Sequence, residues 1–228
     1  RELLFRASGM DENISGVILF DETLRQASAD DTPLKDIILK TGALPGIKVD
    51  KGVSSINDSE EVLTGGLDGL EERCAEYESL GAKFTKWRAV IKIGENMPSD
   101  ECIEANTQAL ADYAKIVQNN NMVPIVEPEV LMDGEHSAIT CYEATSRCLN
   151  SLFNNLENKG VNIKGTILKP NMVLAGQDAS SQLTHDEVAE LTMKCLLENV
   201  PAELPGIAFL SGGQSDVDAT ANLDALNK

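Results

Sequence analysis

Short apolar runs alternate with amphipathic segments along the whole chain. The runs are rich in valine, isoleucine and leucine, as expected of parallel strands that are covered on both faces. Alternation of such strands with helices is typical of β/α units, so the pattern predicts an α/β protein. The predicted strands lie at residues 16–20, 46–50, 84–91, 123–129, 165–169 and 206–210.

The amphipathic segments predict helices between these strands. Ser99 and Ser215 are typical N-cap residues, and Thr184 with Glu187 forms a capping-box pattern. The predicted helices are a helix tail at 1–6, then 33–40, 67–80, 100–118, 140–159, 184–199 and a closing helix after 215.

Polar residues end or follow almost every predicted strand. In an open parallel sheet such groups gather at one switch point, whereas in a TIM (β/α)8 barrel all strands contribute to one mouth. The distribution favours the barrel, as a single domain over residues 1–228. Six strands are two fewer than the barrel needs, so these strands alone would leave it open. The polar residues are Lys48, Asp50, Lys86, Arg88, Glu127, Glu129, Lys169 and Ser211.

Charge narrows the range of partners. Of the 228 residues, 42% are hydrophobic, and the 19 basic and 37 acidic residues give 19 − 37 = −18. A surface of that sign repels nucleic acid and anionic membranes, so we expect neither as a partner. A phosphorylated substrate would need a local cluster of basic residues. No apolar run approaches the ~20 residues that span a bilayer, and we expect no membrane insertion and no signal peptide.

Cysteine and histidine usage argues against thiol and metal chemistry. Neither His136 nor His185 stands in a zinc-binding pattern. The cysteines include no CxxC pair and mostly fall on helical patterns, which predicts buried, reduced thiols. We therefore expect no metal and no cysteine nucleophile. The cysteines are Cys74, Cys102, Cys141, Cys148 and Cys195.

Lys169 ends an otherwise apolar strand and precedes Pro170, which lacks the N–H that a sheet ladder needs. Desolvation at such a rim favours the neutral amine, which can attack a carbonyl carbon. The alternative is a surface lysine at a strand end. Residues two apart in a strand share a face, so three pairs of charged residues can converge on the same rim, or can be ion pairs that only line it. The pairs are Lys48 with Asp50, Lys86 with Arg88, and Glu127 with Glu129.

A glycine turn joins the last predicted strand to the closing helix. It reads Ser211-Gly212-Gly213-Gln214-Ser215. Free N–H groups in such a turn suit an anion, as does the N-terminus of the following helix, and the corresponding loops of β/α barrels commonly bind phosphate. Most glycine pairs only make the turn, so this signal is weak by itself.

Six stretches of the sequence together point to one family. They are Gly46-Ile-Lys-Val-Asp-Lys-Gly52, Thr64-Gly-Gly-Leu-Asp-Gly-Leu70, Lys86-Trp-Arg88, Val123-Pro-Ile-Val-Glu-Pro-Glu129, Leu168-Lys-Pro-Asn-Met-Val173 and Phe209-Leu-Ser-Gly-Gly-Gln-Ser215. With them the chain resembles class I fructose-1,6-bisphosphate aldolase along nearly its whole length. The resemblance implies a TIM barrel and a metal-independent lyase of glycolysis and gluconeogenesis. Such an enzyme cleaves fructose 1,6-bisphosphate to dihydroxyacetone phosphate and glyceraldehyde 3-phosphate. It needs no cofactor, because a Schiff base with the substrate is the electron sink.

The resemblance implies a role for each residue of the rim. Lys169 resembles the Schiff-base lysine, Glu127 the general acid and base, and Glu129 its hydrogen-bonding companion. Lys86 resembles the cation that stabilises charge during cleavage. The remaining residues resemble substrate-binding positions, those in the glycine turn being part of the first phosphate site. These are Lys48, Asp50, Arg88, Ser211 and Gly212.

The chain departs from the family pattern in two respects. Lys164 stands where the family has a glutamate, at the far end of the strand from Lys169, so we expect little effect on the chemistry. The family's first strand, with a catalytic aspartate, has no counterpart in the sequence. Neither does its last strand, which carries a phosphate-binding arginine and leads to a C-terminal tail. We therefore expect an internal portion of an aldolase.

Two other interpretations remain open at this point. An aldolase-derived binding or scaffold protein with impaired catalysis would keep the surface and lose the activity. Transaldolase, another Schiff-base barrel, is disfavoured by the Lys86-Trp-Arg88 and Glu127-Pro-Glu129 motifs. The family resemblance also implies a homotetramer, a possible cytoskeletal partner and a cytoplasmic location.

Overall fold

The computed structural model describes residues 1–228 and is built around one parallel sheet. Its five strands follow one another in chain order, interrupted only by a separate two-stranded hairpin. A doubly wound sheet reverses its order partway, so the observed order is that of a β/α barrel. Numbered along the chain, the strands are β1 (Gly16–Leu19), β2 (Leu44–Lys48), β3 (Val53–Ser55), β4 (Val62–Thr64), β5 (Phe84–Ile91), β6 (Val123–Val130) and β7 (Ile167–Leu168), of which β3 and β4 form the hairpin.

Helices follow the strands, and the three predicted N-caps are confirmed, whereas the helix predicted from 67 begins at Leu70 and the one predicted from 140 begins at Ala138. Ser99 and Ser215 each accept a hydrogen bond from a backbone N–H in the first helical turn, and Thr184 with Glu187 forms the complete capping box. No helix has both the length and the hydropathy to cross a membrane. The helices are α1 (Glu2–Phe5), α2 (Met10–Asn13), α3 (Asp21–Arg25), α4 (Leu34–Lys40), α5 (Leu70–Ser79), α6 (Asp100–Asn119), α7 (Ala138–Asn158), α8 (His185–Asn199) and α9 (Asp216–Leu226), with a short 3-10 turn at Ile163–Gly165.

The last two predicted strands are shorter than expected. The strand predicted over 165–169 is reduced to β7, and the one predicted over 206–210 is a single parallel bridge between Leu168 and Ile207. Pro170 lacks the N–H that would continue a regular ladder. Hydrogen bonds nevertheless join the two segments, since Ala208 N–H donates to the Leu168 carbonyl at 2.9 Å and Leu210 N–H to the Pro170 carbonyl at 3.2 Å. Residues 206–210 therefore still run beside β7 in a parallel direction.

The β3–β4 hairpin was not predicted, since no element was assigned between the strand predicted to end at residue 50 and the helix predicted to begin at residue 67. Its strands pair antiparallel, with Val53 opposite Thr64, and β3 is fully exposed, so no apolar alternation marks it in the sequence. The buried Glu61 fixes the hairpin to the start of α6, where its carboxylate accepts hydrogen bonds from Ser99 N at 2.7 Å and Ser99 Oγ at 2.6 Å.

Strand β5 shows how the sheet separates core from site. Thr85 and Trp87 point towards the helices, where the Trp87 and Tyr113 ring centroids lie 5.4 Å apart and the Tyr113 hydroxyl lies 2.6 Å from Thr85 Oγ1. Because side chains alternate along a strand, Lys86 and Arg88 point to the opposite face. The charged residues are thus held by a fully packed apolar layer behind them.

All five cysteines are buried and none forms a disulfide, which confirms the predicted buried thiols. They lie on helices α5 to α8. Burial raises the pKa of the Cys74 and Cys102 thiols to about 11 and that of Cys148 to about 12. Protonated thiols are poor nucleophiles, so these side chains are packing residues.

We expect an aromatic disulfide reagent at pH 8 to leave the native thiols unmodified and to titrate all five in denaturant. A thiol in the unfolded chain ionises near 9.0, whereas folded Cys74 ionises at about 11. Its contribution to the free energy of unfolding is therefore present below pH 9 and is lost as the pH rises towards 11. Rapid modification of native thiols at pH 8 would contradict the burial.

Candidate active site

Lys169 lies directly beside the buried Glu127. The backbone N–H of Lys169 donates to the Val126 carbonyl at 2.8 Å, which extends the pairing of β6 with β7 by one step. Lys169 Nζ forms a hydrogen-bonded ion pair with Glu127 Oε1. The Lys169 side chain is 20% exposed and that of Glu127 only 4%. Lys169 is thus a partly buried, paired ammonium, and not a free surface lysine.

Lys86 brings a second cation to the same carboxylate. Its Nζ lies 2.7 Å from Glu127 Oε2 but outside a hydrogen-bonding direction, so the contact is an ion pair. In the register of β5 and β6, Lys86 is opposite Ile125, so its side chain reaches diagonally across two residues to Glu127. One carboxylate is therefore shared between two ammonium groups on its two neighbouring segments.

Asp50 separates two lysines that face each other. Lys48 and Lys86 are direct partners in the register of β2 and β5, where like charges repel. The Asp50 carboxylate forms an ion pair with Lys48, lies 3.9 Å from Lys86 Nζ and accepts a hydrogen bond from Arg88 N at 3.2 Å. The Asp50 carboxylate therefore supports both lysines, and its predicted place among the substrate-binding residues stays a prediction.

Arg88 and Glu129 form the outermost pair of the cluster. Their hydrogen-bonded ion pair uses the same diagonal step between β5 and β6, and the hydrogen bond to Glu129 raises the pKa of Arg88. The Arg88 side chain is 41% exposed, whereas that of Glu129 is 8% exposed. Four cations and three carboxylates give the cluster a charge of 4 − 3 = +1 within a protein of charge −18.

The glycine turn lies at the same end of the sheet. Ser211 follows Leu210, which is hydrogen-bonded to Pro170, the neighbour of Lys169. The backbone N–H groups of Ser211 and Gly212 donate to no protein acceptor, and Gly212 has a φ of 61°. Helix α9 begins with Asp216 and Asp218, which already oppose the partial charge of its N-terminus. The free N–H groups of the turn, more than the helix, are therefore what an anion would contact.

Asn171 was not among the predicted site residues, and it supports the segments that carry the cluster. This buried side chain accepts a hydrogen bond from Val130 N at 3.1 Å, at the end of β6, and donates to Thr145 Oγ1 on α7 at 3.1 Å. It therefore ties the segment that carries Lys169 to the strand that carries Glu127. Its position in the Leu168–Val173 stretch, two residues after Lys169, was the available signal.

The strand order of the sheet is that of a barrel-type α/β protein. Its candidate active site is a cluster of lysines and carboxylates at one end of the strands. The family model described as "Glycolytic: Fructose-bisphosphate aldolase class-I" matches residues 1–228. The chain therefore belongs to the class-I fructose-bisphosphate aldolase family, as the sequence motifs predicted. Members named as fructose-bisphosphate aldolases are lyases, which agrees with the predicted enzyme class.

Individual relatives match over the whole chain. A probable fructose-bisphosphate aldolase class 1 from Xanthomonas axonopodis pv. citri is 51% identical, over 100% of this chain and 69% of its own length. A cytosolic fructose-bisphosphate aldolase from Arabidopsis thaliana is 50% identical, over 100% of this chain and 64% of its own. The Plasmodium falciparum aldolase, solved in complex with TRAP and a small-molecule inhibitor, superposes with a TM-score of 0.97 at 45% identity, over 99% of this chain and 66% of its own. The chain thus spans about two thirds of the length of these relatives.

Replacement of Asn171 by alanine should destabilise the protein, because it leaves the buried Val130 N–H without an acceptor. An unsatisfied buried N–H costs about 1–3 kcal/mol in the free energy of unfolding, to be measured by urea denaturation. Asn154→Ala is the matched control, since Asn154 is exposed and bonded only to Asn150, and it should change the free energy by less than about 0.5 kcal/mol. Equal effects of the two substitutions would contradict the assigned support.

Proposed function

We propose that this protein cleaves fructose 1,6-bisphosphate through a Schiff base on Lys169. The observation that carries the proposal is the single buried carboxylate of Glu127, which contacts both Lys169 and Lys86. A lysine that acts as a nucleophile needs a base to remove its proton and a charged neighbour to disfavour its ammonium form. Glu127 and Lys86 are placed for these two tasks.

The contacts suggest an order of steps. The neutral Lys169 amine attacks the carbonyl carbon of the ketose, and Glu127 delivers protons to the departing oxygen, which leaves as water. The resulting iminium at C2 accepts the electron pair of the C3–C4 bond, which gives an enamine, while the C4 hydroxyl loses its proton and glyceraldehyde 3-phosphate is released. Protonation of the enamine and hydrolysis by water then release dihydroxyacetone phosphate and restore the Lys169 amine. Lys86 would stabilise the negative charge that develops beside the iminium. Glu129, held by Arg88, would keep Glu127 in place through the shared strand.

The charge of the cluster supports a phosphorylated substrate. Lys48 and Arg88 are the more exposed cations, at 28% and 41% of their side chains, and would contact one phosphate. The free N–H groups of Ser211 and Gly212 would contact the other. No metal is needed in this scheme, and its expected absence stays a prediction.

Trapping of the Schiff base tests the nucleophile. The protein should form a covalent adduct when it is incubated with dihydroxyacetone phosphate and reduced with borohydride, and peptide mass mapping should place the adduct on Lys169. Lys169→Met should abolish it. Lys164→Met is the matched control, because Lys164 is an exposed lysine in the same segment, and it should leave adduct formation unchanged.

Each result distinguishes the two functions considered. An adduct on Lys169 together with cleavage of fructose 1,6-bisphosphate supports the enzyme. A folded sample whose Lys169 stays unmodified contradicts the proposed chemistry and favours a protein that only binds partners. An adduct on another lysine would contradict the role given to Lys169.

The relatives also indicate a location and an assembly state for the protein. The plant relatives are named as cytosolic, and we extend a cytoplasmic location to this protein. A cytoskeletal partner stays a proposal based on family resemblance.

We also propose a homotetramer, and sedimentation velocity should show a species of four times the 24.5 kDa chain mass. A concentration-independent monomer would contradict it.

A further inference from the structure

Arg73, on helix α5, is bound to the backbone on both sides of the loop that carries Asp50. Its Nη1 donates to the Val49 carbonyl at 3.0 Å, and its Nη2 donates to the Gly66 carbonyl. Val49 directly precedes Asp50, and Gly66 ends the return from the β3–β4 hairpin. One guanidinium therefore joins the outgoing and returning ends of the loop of residues 49–66.

Asp50 needs such support because it lies beyond the end of β2. No strand pairing holds it, and the nearest backbone bonds are from Val49 N to the Lys86 carbonyl at 3.1 Å and from Lys51 N to the Gly65 carbonyl at 2.8 Å. The second of these bonds links the same two ends of the loop that Arg73 joins. The position of the Asp50 carboxylate thus depends on the separation of those ends.

The local packing shows that this loop is held closely. Gly66 has a φ of 126°, and a Cβ there would lie 2.9 Å from the Lys51 nitrogen and 3.3 Å from the Trp87 ring. Only glycine fits this position without displacing the backbone beside Asp50. The returning end of the loop is therefore pressed against both the outgoing end and the strand that carries Lys86.

The environment of Arg73 is unusual for an arginine on an acidic helix. Glu71, Glu72 and Glu76 are exposed neighbours on α5, yet none forms an ion pair with Arg73. Its Nε is buried without a hydrogen-bond partner, which is unfavourable compared with a solvated surface pair. Glu71 and Glu72, two residues and one residue away, do not face Arg73 on the helix, and Glu76 pairs with Arg25. The guanidinium is thus held by its bonds to the Val49 and Gly66 carbonyls.

We propose that Arg73 is a positioning residue that acts through Asp50. The rigid, planar guanidinium fixes the two carbonyl groups relative to each other, and so places the Asp50 carboxylate between Lys48 and Lys86. Without it, the loop ends separate and the two facing lysines lose their shared counter-ion. Its catalytic consequence rests on the proposed function, whereas its effect on the loop does not.

The test is a double-substitution cycle on the rate of adduct formation with dihydroxyacetone phosphate. Arg73→Gln and Asp50→Asn should each slow trapping about tenfold, as is usual when the support of a site residue is removed. If Arg73 acts through Asp50, the double variant should be no slower than Asp50→Asn alone. Two independent losses would instead multiply to about a hundredfold.

Two further variants distinguish the two-pronged hydrogen bonding of the Arg73 guanidinium from its charge and from a general loss of stability. Arg73→Lys keeps the charge but cannot span two carbonyls, so it should behave like Arg73→Gln. Arg147→Gln is the matched control, because Arg147 also donates from a helix to a backbone carbonyl, that of Pro98 at 3.0 Å, outside the active-site cluster. It should leave the trapping rate unchanged. Full activity of Arg73→Lys or multiplicative losses in the cycle would overturn the proposal.

A measurement without substrate keeps the two proposals distinguishable. In Arg73→Gln, amide hydrogen exchange of the loop of residues 49–66 should be faster, above all at the Lys51 and Gly65 amides, which pair across its ends. Exchange of helix α7 should stay the same. If the wild-type protein formed no adduct, the proposed function would fail, and unchanged loop exchange would separately refute the role of Arg73.

Discussion

The shared carboxylate of Glu127 is the interaction on which the site depends. A buried carboxylate is unfavourable unless cations and hydrogen bonds compensate it, and here both cations come from neighbouring chain segments. The ion pairs therefore require three adjacent segments of the sheet to be in one register. A slip of one residue in β5 would turn Lys86 towards the helices and Trp87 towards the mouth. Packing of the sheet and pairing of the charges in the site are thus the same constraint.

The sequence predicted the features that depend on the two-residue period of strands and on where strands end. The bounds of β5 and the shared faces of Lys86 with Arg88 and of Glu127 with Glu129 followed from alternation alone. Register did not, because it is set by how side chains of separate strands pack. The diagonal reach from Lys86 to Glu127, and the direct opposition of Lys48 and Lys86, became visible only in the structure. Asp50 was predicted in a strand and lies in a loop.

Support of the site by backbone groups leaves no pattern at the backbone partner. Asn171 accepts a hydrogen bond from a main-chain N–H and Arg73 donates to main-chain carbonyls, and nearly every residue carries both groups, so the partner's position has no signature. The β3–β4 hairpin was missed because its first strand, β3, is fully exposed and lacks an apolar face. The sequence thus indicates the charged residues of the site well. It indicates poorly the hydrogen bonds to the backbone that hold those residues in place.

Screening by salt explains how an acidic protein can hold a cationic site. At physiological salt, charges more than about 8 Å apart in solvent are largely screened, so a phosphate inside the mouth responds mainly to the local +1 cluster and little to the distant surface. Each of the four cations already has a carboxylate partner, and a phosphate must compete with it. Competition is easiest at Arg88, which is the most exposed. The lysines keep their partners more firmly, because their own side chains are less exposed to solvent than that of Arg88. In the proposed function, this layering would separate phosphate binding at the rim from proton transfer at the base of the site.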